Sequence, residues 1–326
     1  MRAPYELVTI FQNRAIVLGA INSITEGFPM GEAYRRMILR VCVVYNWGNS
    51  AAVIPDGVDC FLHGLTLRTS RGWTPFNSVP GRALRVIDHI KCGVGTTFPV
   101  FAGADYTAVQ QYNLWFSDPL SKRPEDTLLD TSLFNKLQLD LNFGTVTDWS
   151  IAGASGTDAI TSAVMDLYVE RVKGKLPAKV KPVDYVEYGC PAPVLQTAIE
   201  MPLERASNSA YKRLYVQTAT TPNVGSGFTG APDDAIVLSM GVDSDKGELI
   251  QQIPWLVQNT RTKQDYQIET AAGVNGLVGW NIMDFCQDKS NMSALISGYF
   301  SRLRVLWTAG AAGQVSCAYE ALKRIM

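Results

Sequence analysis

At 326 residues, 47% hydrophobic and 18% charged, the chain is long and apolar enough for two domains of about 150 residues, each with its own core, and disorder is excluded. The 29 basic and 30 acidic residues leave a net charge of −1, so there is no electrostatic footprint for wrapping nucleic acid, and no sequence-specific nucleic-acid partner is expected. Six scattered cysteines, Cys42, Cys60, Cys92, Cys190, Cys286 and Cys317, form no CxxC pair. They read as reduced and mostly buried thiols of a protein made in a cytoplasm, not as a zinc site or a disulfide framework.

In chain order, residues 1–27 come first and read as an N-terminal arm or helix. Leu7, Ile10, Phe11, Val17, Leu18 and Ile21 fall roughly on one helical face. The apolar run Ala15–Ile21 is far shorter than the ~20 residues that span a bilayer. Glu6 and the lack of a clear cleavage site argue against a signal peptide. Packing on the body of the protein or on a neighbouring subunit is the expectation, with a membrane surface as the sharper alternative.

Beyond residue 28 the chain repeats itself. Ala33-Tyr34-Arg35-Arg36-Met37-Ile38 is echoed by Ala210-Tyr211-Lys212-Arg213-Leu214-Tyr215. Gly64-Leu65-Thr66-Leu67-Arg68 is echoed by Ala235-Ile236-Val237-Leu238-Ser239, and Tyr112-Asn113-Leu114 by Trp280-Asn281-Ile282. The fourth pair is Leu133-Phe134-Asn135-Lys136-Leu137-Gln138-Leu139 and Tyr299-Phe300-Ser301-Arg302-Leu303-Arg304-Val305. The shared order points to duplicated domains, over 28–170 and 188–326. Between them 171–187, rich in Lys, Gly and Pro, reads as an exposed linker.

The repeated blocks have strand character. Leu137, Leu139 and Leu141 alternate with polar neighbours, and Leu303, Val305 and Trp307 do the same. Two stretches read as helical, one from Ala83 to Lys91 and one containing Leu249, Ile250, Ile253, Leu256 and Val257, despite Pro254. Short strands with one helical insertion per half predict an all-β tandem of sandwiches.

On these features the sequence resembles the double jelly-roll major capsid proteins of the tectivirus and adenovirus lineage. They are the strand Tyr34–Val44, the strand-then-helix stretch Gly64–Lys91, and Asp130–Leu141, each echoed in the second half. Within that lineage it is most similar to those of lipid-containing tailless bacteriophages, such as the one infecting Flavobacterium. The resemblance implies two eight-stranded jelly rolls and homotrimers that act as pseudo-hexamers tiling an icosahedral shell over an internal membrane. Its implied partners are further copies in neighbouring capsomers, minor capsid or penton proteins, and the internal viral membrane through the N-terminal segment. The expected location is the virion.

No enzyme is expected, and no catalytic, cofactor-binding or metal site is assigned. Only His63 and His89 exist, both in the first half, too few for a tandem metal-binding cupin. Gly225-Ser226-Gly227-Phe228-Thr229-Gly230 fits G-x-G-x-x-G, but a strand rather than a helix should follow it. Asp243-Ser244-Asp245-Lys246-Gly247-Glu248 fails the calcium-loop spacing and reads as an acidic hairpin turn. Asn291-Met292-Ser293 fits a glycosylation sequon, irrelevant in a bacterial virus. Two other readings remain: a carbohydrate-binding or carbohydrate-active sandwich using Trp73-Thr74-Pro75-Phe76, and a virion spike or minor vertex protein.

Overall fold

The computed structural model describes residues 5–46, 57–92, 106–149, 158–172, 184–190, 197–201, 209–220, 230–266 and 278–323. The first half contains β1 (Tyr5–Ala15), β2 (Ile21–Ile24), β3 (Ala33–Asn46), β4 (Leu62–Thr69) and β5 (Phe76–Val79). β6 (Tyr106–Trp115), β7 (Leu129–Asp130), β8 (Leu137–Phe143) and β9 (Ala159–Val172) complete it. The second half contains β10 (Tyr185–Gly189), β11 (Ala198–Glu200), β12 (Ser209–Ala219), β13 (Val237–Ser244) and β14 (Gly247–Pro254). It continues with β15 (Trp280–Asp284), β16 (Leu295–Ile296), β17 (Leu303–Ala309) and β18 (Gln314–Lys323). Among the described residues three α-helices, α1 (Gly57–Cys60), α2 (Gly81–Cys92) and α3 (Trp255–Asp265), punctuate the strands.

The two halves match strand for strand. The first lobe pairs its strands in the orders β1-β9-β3-β6 and β2-β8-β4-β5; the second uses β10-β18-β12-β15 and β11-β17-β13-β14. Each lobe is therefore an eight-stranded sandwich, with the two-residue strands β7 and β16 added at equivalent places on β3 and β12. All four repeated sequence blocks fall on equivalent elements: β3 and β12, β4 and β13, β6 and β15, β8 and β17.

The alternation in these strands explains the layering. In β8, Leu137, Leu139 and Leu141 are buried, and in β17 so are Leu303, Val305 and Trp307. Burying each such side chain contributes about 1.5–3 kcal/mol. The first core does not stop at the lobe boundary. Tyr185, Val186, Tyr188, Tyr215 and Trp280 of the second lobe belong to it, and a separate core around Trp255, Val305 and Trp307 fills the rest of that lobe. β5 and β10 pair in parallel, Tyr188 opposite Phe76, which fuses one sheet from each lobe into a nine-stranded sheet.

Three expectations need correction. The N-terminal segment is not a helix: Tyr5–Ala15 is an edge strand paired with β9, and Ile21–Ile24 pairs with β8. The apolar residues fitted helical spacing, but pairing with β9 satisfies the backbone of a chain whose outer face stays in water. Asn13, at φ 52°, takes up a register break in that strand, and its backbone N–H donates to Asp166 at 2.7 Å. The second correction concerns Leu249–Ile253, which lie in strand β14; α3 begins only after Pro254, whose fixed φ and missing N–H suit the start of a helix rather than its interior. Third, the stretch 171–187 is strand at both described ends, closing β9 and opening β10, while 173–183 lie outside the described residues.

The acidic turn is a hairpin as expected. Ser244 pairs with Gly247 around Asp245 and Lys246, and Gly247 takes φ 111°, a conformation that strains any other residue. Of the glycine-rich G-x-G-x-x-G stretch, only Gly230 lies among the described residues.

Candidate functional site: a buried ionic cluster between the lobes

The most concentrated polar chemistry lies at the lobe junction. A β-bulge between Tyr211 and Arg213 turns both Lys212 and Arg213 inward from β12. Opposite them on β18 stands Glu320, in register with Arg213. From the first lobe come Lys91, at the end of α2, and Asp118, in the loop after β6. Lys91, Asp118, Lys212, Arg213 and Glu320 are all essentially excluded from water.

Their geometry satisfies the charges. Lys91 Nζ donates to Glu320 Oε1 at 2.9 Å and to the Tyr188 hydroxyl at 2.7 Å, and lies 3.5 Å from Asp118. Lys212 donates to Asp118. Arg213 reaches Glu320 at 3.1 Å, Asp118 at 3.3 Å and, through Nε, Asp284 at 3.0 Å. The Tyr215 hydroxyl donates to Glu320 at 3.0 Å. Three cations thus meet three carboxylates, which is what a dry interior requires of ionised groups.

Burial alone would raise the Glu320 carboxyl, but Lys91 and Arg213 beside it hold it down to about 2. Burial opposes ionisation of Asp118 too, and Lys91, Lys212 and Arg213 overcome it, holding that carboxyl well below the usual range. Tyr188 and Tyr215 are pushed well above their ordinary value, mainly by burial. A cleft of about 580 Å³ adjoins the cluster, lined in part by Lys91, Arg213, Tyr266, Asp284 and Cys286. Its two thiols, Cys92 and Cys286, are each pushed up to about 12, mainly by burial, and neither is a nucleophile at neutral pH. Glu320 and Asp118 are thus held ionised and the Tyr188 and Tyr215 hydroxyls held neutral near pH 7, the work of fixed charges rather than of a proton relay.

The residues singled out in the sequence fall elsewhere. His63 lies on β4 with Nε2 3.1 Å from Asp148 Oδ1, and His89 lies on α2. Among the described residues no group of His, Cys, Asp and Glu could hold a metal ion, and no helix is long and apolar enough to cross a membrane. Trp73 and Phe76, read as a loop-borne sugar platform, are interior: Trp73 is 4% exposed and Phe76 1%. Trp73 packs on Tyr185 at 4.9 Å and its Nε1 donates to Glu187, while Phe76 stacks on Tyr188 at 4.7 Å. That apolar pair fastens the lobes together instead of facing solvent.

Sequence reasoning missed the cluster as a unit. The basic pair was visible in the first repeated block. Its acidic partner carried a fainter signal, Glu320 being the one charge in the otherwise apolar stretch Cys317–Leu322 of β18. A single charge in such a run demands a buried counter-charge.

No known family pattern matches the sequence, and no curated protein matches it. Solved structures do match, over nearly the whole chain. The major capsid protein of Sulfolobus turreted icosahedral virus superposes with TM-score 0.68 at 13% identity, covering 98% of this chain and 97% of that one. The fold is the double jelly roll. The major capsid protein P2 of bacteriophage PM2 gives TM-score 0.63 at 11% identity, covering 99% and 98% of the two chains. A capsid structure of the virus PBCV-1 gives 0.64 at 11% identity, covering 100% and 96%.

Proposed function

We propose that this double jelly roll is a viral major capsid protein, a structural component of the virion shell rather than an enzyme. The observation that carries the reading is the pair of equivalent lobes, locked together by a buried ionic cluster, in a chain that superposes end to end on capsid proteins. A duplicated sandwich gives six similar lobes when three copies associate, a pseudo-hexagonal block suited to tiling an icosahedral lattice. The partners are then further copies of the chain, with minor capsid or penton proteins at the vertices.

The resemblance to lipid-containing phages adds an internal membrane beneath the shell. The described residues of the N-terminal segment form the strands Tyr5–Ala15 and Ile21–Ile24 rather than an amphipathic helix. Among the described residues its exposed apolar side chains include Leu7 on β1 and, where the chain turns into β2, Val17, Leu18 and Ile21. The interior position of Trp73 removes the residue on which a sugar-binding reading rested.

Electron microscopy of purified particles, with mass spectrometry of their proteins, tests this reading. The chain should be the most abundant virion protein and build six-lobed capsomers across the facets. Low copy number confined to vertices would make it a spike or minor protein instead.

A further inference from the structure

The contact between the two lobes shows which surfaces of a lobe fit which surfaces of its neighbour. The first lobe presents β5, the end of α2 and the loop after β6; the second receives them on the β10 edge and the bulge of β12. Each lobe carries both kinds of surface. Within the described residues, however, only one pair is mated: β1 pairs only with β9, and β14 only with β13.

The unmated surfaces repeat the mated ones closely. A bulge between Tyr34 and Arg36 turns out Arg35 and Arg36 on β3, and Glu170 on β9 is in register with Arg36 as Glu320 is with Arg213. The backbone N–H of Phe116 donates to Arg35, as that of Phe285 donates to Lys212. Leu7 on β1 lies opposite Glu170, the place that Tyr188 occupies opposite Glu320. Tyr188 is buried against the other lobe, whereas Leu7 is 58% exposed.

On the other side, Ile250 precedes Pro254 by four positions, as Phe76 precedes Pro80. Asp265 follows Pro254 by eleven, as Lys91 follows Pro80. Leu249, Leu256 and Val257 on this β14–α3 unit are exposed, as is Met292, in the turn equivalent to the one that touches β10.

We infer that the β14–α3 unit of one copy docks on the β1 edge and the Arg35–Arg36–Glu170 bulge of a second copy, with β1 and β14 pairing in parallel. The inference rests on the capsid reading and names the interface that would build its capsomer. Charge supports the match. Among the described residues Arg35 has one carboxylate partner, Glu170 at 2.9 Å, where its counterpart Lys212 has a second in Asp118 from the neighbouring lobe. The incoming surface brings Asp265, which is half exposed and shared with Arg261 of its own helix at 3.5 Å, and, in the loop after β15, the carboxylate of Asp288. Edge pairing also covers two strand edges that would otherwise invite uncontrolled association.

By this register Leu7 of one copy faces Ile250 of the next. A Leu7→Cys/Ile250→Cys double variant of the full chain, oxidised mildly and run on a denaturing gel, should give a ladder ending at three chains, while each single variant stays at one. The exposed position of Leu7 makes Leu7→Asp a second test: it should keep the wild-type circular dichroism spectrum yet shift the protein from trimer to monomer by light scattering. Wild-type trimers that neither cross-link nor respond to Leu7→Asp would overturn this interface and leave the capsid reading standing. Wild-type monomers that form no particles would sink both.

Discussion

Lys91 and Glu320 are 2.9 Å apart, 229 residues apart in sequence, and in different lobes, and neither side chain touches water. An ion pair in that setting is a registration device. It contributes little net stability over an apolar substitute, but loss of one partner strands the other charge in the core. The two jelly rolls are thereby fixed at one relative placement, which a lattice of repeated contacts needs.

Removing half of such a network is costly. Glu320→Gln should destabilise the folded chain by about 3–5 kcal/mol, because Lys91 and Arg213 lose a buried counter-charge. The equivalent Glu170→Gln should cost clearly less in the unassembled chain, where Arg35 and Arg36 remain partly in water. Paired denaturant titrations measure both. Equal losses would show that burial at the lobe junction carries no special weight.

Acid should act through the same carboxylates. The folded Glu320 carboxyl lies near 2, below its ordinary 4.5, so the stability it confers is complete above about 4.5 and is lost as the pH falls toward 2. Asp118 is shifted in the same direction. Melting temperatures of wild type and Glu320→Gln should therefore differ most at neutral pH and converge as the pH approaches 2. A gap that stayed constant to pH 2 would contradict the assignment.

Trp73→Ala should cost about 3–5 kcal/mol, as expected when a large side chain is removed from a packed core. Tyr185 and Phe134 would lose their ring partner. Calorimetry checks the loss. A neutral effect on stability accompanied by loss of binding on a glycan array would restore the sugar-platform reading.

The buried thiols of Cys286 and Cys317 should resist alkylation at pH 8 in the native protein and react once it is unfolded. Burial pushes both thiols far above their ordinary value, that of Cys286 to about 12. Mass spectrometry after timed labelling reads the difference directly.

The duplication was legible because its signal is local. Leu137-Gln138-Leu139 and Leu303-Arg304-Val305 alternate in sequence, and alternation is what a half-buried strand does. Residues 5–15 misled for the opposite reason. Ile10 and Phe11 sit as well on a helix face as on an edge strand, and only β9, more than 150 residues away, decides between them. Pro254 was the visible warning that the second helix begins later than its apolar spacing suggested. The ionic cluster draws on Lys91, Asp118, Lys212, Arg213 and Glu320, which no short window contains. Arg35-Arg36 and Lys212-Arg213 read alike, and only the fold makes one pair half-exposed and the other dry.

The mass of the purified full-length chain in solution, measured by light scattering across a concentration series, addresses the threefold assembly most simply. A stable particle of three times the chain mass, persisting to low concentration, is the expected result. A monomer at every concentration, in a protein that melts as a well-folded unit, would contradict it.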